Sequence, residues 1–145
     1  MKKLYILLTF GLVLSFASCY KPSTWVDENV KESQGYYPVI QAVRVANLPA
    51  SGKFAVGDVV KFEMKYWSVD PINKYDLYAK VAGVETLFSS TPYVYSFVPE
   101  IKAELILLDY TVPQGTAGTT ITLKAIITNE NGLTRTSGNV NVPVQ

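Results

Sequence analysis

The amino-acid sequence predicts an all-β fold, a single antiparallel β-sandwich of seven or eight strands over residues 39–145. Three observations predict it. Apolar residues recur at period two, most cleanly from Val59 to Trp67, where Val60, Phe62, Met64 and Tyr66 share one face and Lys61, Glu63 and Lys65 the other. Glycine, proline, asparagine and aspartate punctuate the chain at intervals of about 8–14 residues, the rhythm of short strands joined by turns. From Val39 onward no stretch carries the 3.6-residue periodicity of an amphipathic helix.

The elements follow in order. Val39 to Asn47 is rich in β-branched residues and reads as the first strand of the domain, and Pro49, Gly52 and Gly57 turn the chain after it. Val59 to Trp67 is the half-buried strand already described. The loop Asp70, Pro71, Ile72, Asn73 interrupts the pattern, which resumes over Tyr75 to Ala82 with Tyr75, Leu77, Ala79 and Val81 on one side. Gly83 allows a tight reversal into a strand over Val84 to Phe88, and Ser89 to Pro92 separates it from another over Tyr93 to Val98. Glu104 to Val112 is the most apolar run after the leader; its four consecutive aliphatics, Leu105 to Leu108, suit a core strand and are far short of the roughly 20 residues that cross a bilayer. Pro113 to Gly118 forms a loop, and Thr119 to Thr128 alternates Ile121, Leu123, Ala125 and Ile127 with polar residues. Asn129-Glu130-Asn131-Gly132 is a hairpin signal. Leu133 to Val144 completes the sheet, with Pro143 suited to an edge because it has no N–H to donate.

Upstream of the domain the chain changes character. Lys2 and Lys3, the apolar run Leu4 to Phe16, and Ala17-Ser18 supply the basic start, apolar centre and small cleavage residues of a secretory signal peptide over residues 1–18. The apolar run contains Thr9, Gly11 and Ser15 and is too short to span a membrane as a helix. Phe16-Ala17-Ser18-Cys19 resembles the lipobox of bacterial lipoproteins, with phenylalanine where leucine is usual. Cys19 is the only cysteine, so no disulfide forms within the chain, and the resemblance implies acylation of its sulfur. Two or more acyl chains, each buried methylene contributing about 0.8 kcal/mol, give stable membrane anchoring. Tyr20, rather than aspartate, follows Cys19, which by the same resemblance implies the outer membrane. Residues 19–38 then read as a tether carrying Pro22, Gly35, Pro38 and a charged stretch from Asp27 to Glu32; Trp25, Tyr36 and Tyr37 are candidates to pack back on the domain.

Composition narrows the partners. Removing residues 1–18 from the 145 leaves 127, enough for one core. Those residues carry 11 Lys and Arg against 12 Asp and Glu, a side-chain net of −1, and the basic residues are scattered. Neither feature attracts nucleic acid. The chain has no histidine, which removes Ser-His-Asp and Cys-His catalysis, histidine-ligated zinc and the usual proton shuttle near neutral pH. The acids Glu63, Asp76, Glu85, Glu100, Glu104 and Asp109 fall mostly on expected solvated faces or at turns and form no recognisable catalytic pair. No enzyme is expected.

A family resemblance covers residues 39–144. Val112-Pro-Gln-Gly-Thr116, the alternating strand after it, the Asn-Glu-Asn-Gly hairpin and the closing Val140-Asn-Val142 look like the E, F and G strands of bacterial immunoglobulin-like domains. Ala55-Val56-Gly57-Asp58 before Val59 is similar to the Gly-Asp start of their strand B. The paired cysteines of antibody domains are missing, and Ile121 stands where a tyrosine corner would place its tyrosine. With the leader, the whole resembles small immunoglobulin-like lipoproteins on the outer membranes of glycan-using bacteria. That resemblance implies a surface binding module whose partner is an outer-membrane protein or a glycan.

Two groups of residues are candidate sites. Trp67 and Lys65 are expected on the polar face of one strand, and Tyr78 and Asp76 on the outward face of the next, flat rings flanked by polar groups that suit sugars and protein surfaces alike. Trp67 is also at a strand end, where rolling under a loop as core is the commoner outcome. Tyr93 and Tyr95 share a face and the same ambiguity. In the second group, Asp70 and Asn73 of one loop and Asn129, Glu130 and Asn131 of the hairpin are expected at one end of an immunoglobulin-like sandwich, where their oxygens could serve calcium. Turn formation accounts for the same residues more simply, since their spacing matches no dedicated calcium loop.

Overall fold

The computed structural model describes residues 30–31 and 35–145. The expected leader, Cys19 and Trp25 lie outside the described residues. Eleven strands and one short 3-10 turn are present among those described: β1 (Val30–Lys31), β2 (Gly35–Tyr36), β3 (Val39–Val45), β4 (Val59–Trp67), β5 (Ile72–Val81), β6 (Val84–Pro92), β7 (Phe97–Val98), the 3-10 turn Pro99–Ile101, β8 (Ala103–Thr111), β9 (Thr120–Asn129), β10 (Thr134–Thr136) and β11 (Val140–Pro143). One sheet has the order β3-β4-β8-β7; the other runs β10-β9-β5-β6, with β11 also on β9, and every ladder is antiparallel. Strands β10 and β11 are successive halves of one edge, so the sandwich has eight strand positions. Its order is that of an immunoglobulin-like fold, A-B-E-D facing G-F-C-C′. A separate two-stranded ladder joins β1 to β2.

Alternation decides which faces meet. Val60, Phe62, Met64 and Tyr66 of β4 and Leu108 and Tyr110 of β8 are buried, as are Tyr75, Leu77 and Ala79 of β5 and Ile121, Leu123, Ala125 and Ile127 of β9. These two inner faces form the core, each large aliphatic contributing about 1.5–3 kcal/mol through removal from water. Phe54, from the long β3–β4 connection, joins the core by bridging to Val144.

The structure departs from the sequence reading in three places. Ser89 to Pro92 do not end β6: Ser89, Ser90 and Thr91 pair with Leu77, Asp76 and Tyr75, because the strand absorbs Phe88 as a bulge and continues. Tyr93 to Val98 is a strand only over Phe97–Val98, since the Tyr93 N–H is taken by the Asn73 carbonyl as the chain crosses between sheets. The final strand breaks at Ser137, whose hydroxyl accepts the Ala125 N–H at 2.9 Å in place of a backbone carbonyl.

The register also defines two ends. At the proximal end, where Pro38 leads into β3, lie the β4–β5 connection, the β9–β10 hairpin and residues 93–102, marked by the pairs Val39 with Trp67, Ile72 with Asn129 and Val98 with Ala103. At the distal end lie the β5–β6 turn and the β8–β9 loop, marked by Val59 with Thr111 and Val81 with Val84.

Candidate functional site

The proximal end gathers most of the unusual chemistry. The β4–β5 connection and the β9–β10 hairpin meet there, the Glu130 N–H donating to the Pro71 carbonyl at 2.9 Å and the Asn131 amide to Asp70 Oδ2 at 2.9 Å. Asp70 Oδ2 also accepts the Tyr36 N–H, and the Asn129 amide donates to the Tyr36 carbonyl at 2.9 Å. Arg135 lies over the Tyr37 ring, 5.5 Å from its centroid, while its Nε donates to the Pro38 carbonyl at 3.4 Å. Gly35 has φ +96°, and a Cβ there would stand 2.6 Å from Asn131 Nδ2 and against the Asp70 carboxylate. Only glycine fits that bracket. Residues 35–38, expected as the end of a tether, are therefore strapped to the sandwich.

Of the five oxygen-bearing residues, the structure brings Asp70, Asn129 and Asn131 together, but as hydrogen-bonding clamps. Asn129 Oδ1 accepts from the Ser68 hydroxyl at 3.4 Å, and Asn131 Oδ1 accepts the Leu133 N–H at 3.1 Å. Asn73 is inside β5, and its carbonyl is taken by Tyr93. Glu130 contributes its backbone N–H and has an exposed side chain. A calcium ion asks for six to eight oxygens, and no group of three or more His, Cys, Asp or Glu is placed to hold a metal among the described residues.

Beside the strap is a hollow of about 260 Å³ walled by residues 68–72, Tyr93 and Glu104. Glu104 pairs with Tyr66 and so projects to the inner side of its sheet, in phase with Ile106, Leu108 and Tyr110. Its Oε2 accepts the Tyr66 hydroxyl at 3.1 Å, the Tyr93 hydroxyl at 2.9 Å and the Ser96 N–H at 3.3 Å. The Tyr75 hydroxyl bonds to that of Tyr66, whose oxygen also meets the Ser96 hydroxyl at 3.1 Å. Burial pushes the Tyr66, Tyr75 and Tyr93 hydroxyls above the ordinary tyrosine range, so they stay protonated and donate. The sequence reading placed Glu104 among surface acids. The signal it missed was the register of Glu104 with three core residues two, four and six positions on.

The aromatic candidates divide between the two outer faces. Trp67 and Lys65 stand outside the β3-β4-β8-β7 sheet, and Trp67 is 42% exposed, so it does not become core. Lys65 lines a second hollow of about 260 Å³ with Ala42, Arg44, Glu63, Ile101 and Leu105. Arg44 and Glu63 pair at 2.6 Å beside it, and this pairing raises the Arg44 guanidinium further. Tyr78 and Asp76 belong to the other sheet and do not converge with Trp67. Lys124 sits over the Tyr78 ring, 5.6 Å from its centroid, and pairs with Glu85 at 2.8 Å. Asp76, 7% exposed, is taken by Lys74 at 2.8 Å and by the Ser90 hydroxyl at 2.5 Å. Both are engaged by neighbours, whereas Trp67 is half-open. Tyr93 packs near Tyr75, with centroids 6.2 Å apart, while Tyr95, 72% exposed, stacks on Phe97.

No protein-family model matches the chain, and no curated protein shows a significant match to it.

Proposed function

We propose that the protein is a non-catalytic lipoprotein of the bacterial cell envelope, acylated on Cys19 and anchored in the outer membrane, whose immunoglobulin-like domain binds a partner at the cell surface. The observation that carries this reading is the leader: two lysines, an apolar run too short to span a bilayer, and a single cysteine directly behind Phe-Ala-Ser. The strap at Gly35–Pro38 supports it, because a domain held at its point of departure from the tether stands in a fixed attitude to whatever the tether is attached to. The test is mass spectrometry of the processed chain, expected to find acyl groups on Cys19, with Cys19→Ser moving the protein from the membrane to the soluble fraction. A bare thiol with unchanged fractionation overturns it.

A second reading, a glycan-binding module of a polysaccharide-uptake system, is favoured by one feature: Trp67 stands half-open on the same outer face as the hollow lined by Lys65. A flat ring beside a charged side chain suits the apolar face and hydroxyls of a sugar. Trp67→Ala then loses retention on a polysaccharide gel. Unchanged retention together with loss of a co-purifying outer-membrane protein assigns the same face to a protein partner.

A further inference from the structure

We propose that the hollow at the proximal end binds a primary ammonium group carried on a small apolar or hydroxylated body. The proposal is independent of Cys19 acylation and of Trp67. It stands on the cavity and on the polarity of its wall. Residues 68–72 with Tyr93 and Glu104 line an open hollow of about 260 Å³, the liquid volume of roughly nine waters and slightly below the roughly 300–1,000 Å³ of drug-sized sites. A single hexosamine or a lysine-sized alkylamine is of that scale; a long polymer is not.

Val69, Pro71, Ile72 and the Tyr93 ring make the apolar part of the wall, and every polar side-chain atom in the rest is oxygen. The Tyr93 hydroxyl donates to Glu104 at 2.9 Å, and the Ser68 hydroxyl makes a long contact with Asn129 at 3.4 Å. The carboxylates are each half used. Glu104 accepts its three bonds at Oε2 and Asp70 its two at Oδ2, and among the described residues neither Glu104 Oε1 nor Asp70 Oδ1 has a protein donor. No lysine or arginine lines the cavity. Its side chains therefore present carboxylate acceptors and negative charge with no cationic group among them.

An ammonium is the complement, with three donors, no acceptor and a positive charge. Charge-assisted bonds of this kind are about twice as strong as neutral ones, so an amine outcompetes an uncharged hydroxyl, and an anion is repelled. A hard divalent cation is a poorer fit, since it demands more oxygens than two half-used carboxylates supply. Three donors on one oxygen fix the Glu104 carboxylate before any ligand arrives, so little ordering is required on binding.

The experiment is a titration of the full chain in detergent micelles with n-butylammonium chloride, glucosamine and N-acetylglucosamine, following the backbone amide signals of Val69, Tyr93 and Glu104. Both amines are expected to shift those signals at millimolar concentration, and N-acetylglucosamine, which keeps the ring and loses the charge, is not. Stronger binding of glucosamine assigns the site to amino sugars; stronger binding of butylammonium assigns it to lysine-like side chains. Glu104→Gln is expected to weaken binding about tenfold or more. Val69→Arg, a change at a residue 60% exposed and outside the hydroxyl network, does the same by placing a cation at the rim, while Val69→Leu does not. The proposal is overturned if neither amine shifts the signals, if N-acetylglucosamine binds as well as glucosamine, or if Val69→Arg binds amines undiminished.

Discussion

Glu104 and the tyrosines around it carry the sharpest consequences at the scale of single residues. Tyr66 and Tyr75 are fully buried, and burial raises both hydroxyls above their unfolded value near 10. The folded state therefore keeps protons that the unfolded chain gives up. The stability this represents is fully present below about pH 10 and is lost as pH climbs beyond it, at up to about 1.4 kcal/mol per pH unit for each tyrosine. Urea unfolding across an alkaline series should show the decline, and Tyr75→Phe should make it shallower while costing about 1 kcal/mol at neutral pH for the lost bond to Tyr66. An unchanged alkaline slope in Tyr75→Phe would mean that Tyr75 does not contribute. Glu104→Ala acts differently, because it strands two hydroxyls and the Ser96 N–H without their acceptor. The expected loss is about 3 kcal/mol, with Glu104→Gln costing about 1 kcal/mol because the amide oxygen still accepts. Equal losses in the two variants would point to packing rather than to hydrogen bonding.

Elements built on strict alternation were legible, and those held by side chains acting as backbone were not. Strand β4 matches its expected bounds residue for residue, because period two and a charged outer face leave it one register. Strand β6 and the last edge were misjudged for a common reason: serine reads as a turn residue, yet Ser89 and Ser90 pair along β5, and Ser137 substitutes for a backbone acceptor. Ser137→Ala should cost about 1–2 kcal/mol and expose the Ala125 amide to faster hydrogen exchange, with the Leu123 amide little changed. The β5–β6 turn offers the opposite sign. Ala82 and Gly83 both have positive φ, 49° and 86°, a conformation that costs a residue with a Cβ and that Asn-Gly turns adopt readily. Ala82→Asn is expected to raise stability by about 0.5–1 kcal/mol, seen as a higher thermal midpoint with no change in the circular dichroism of the fold. The candidate sites follow the same division. The meeting of the Asp70 loop with the Asn129–Asn131 hairpin was legible from topology, whereas the strap those residues hold comes from a segment with no strand pattern of its own, where Tyr36 and Tyr37 stood only as candidates to pack back on the domain.

The strap sets how the whole molecule is organised. Strands β3 and β11 touch across one side of the sandwich, and residues 35–38 leave from the proximal end beside the two loops that clamp them. Three side chains fix this exit: Asp70 on the Tyr36 N–H, Asn129 on the Tyr36 carbonyl and Arg135 on Tyr37 and Pro38. None of them belongs to the apolar core, so the exit is expected to open as a unit separate from the sandwich. Gly35→Val distinguishes them. A side chain there collides with Asp70 and Asn131 and is forced into a φ of +96° that valine does not tolerate. The strap is expected to open rather than the sandwich to distort, since opening forfeits only a few exposed or half-buried hydrogen bonds, about 1–3 kcal/mol in all. Hydrogen exchange reads the outcome directly: the Tyr36 amide loses its protection, while the amides of Phe62, Met64, Leu123 and Ala125 in the core ladders keep theirs. Loss of protection in β4 and β9 as well would make the strap part of the folding core, and the domain would then begin at Gly35 rather than at Val39.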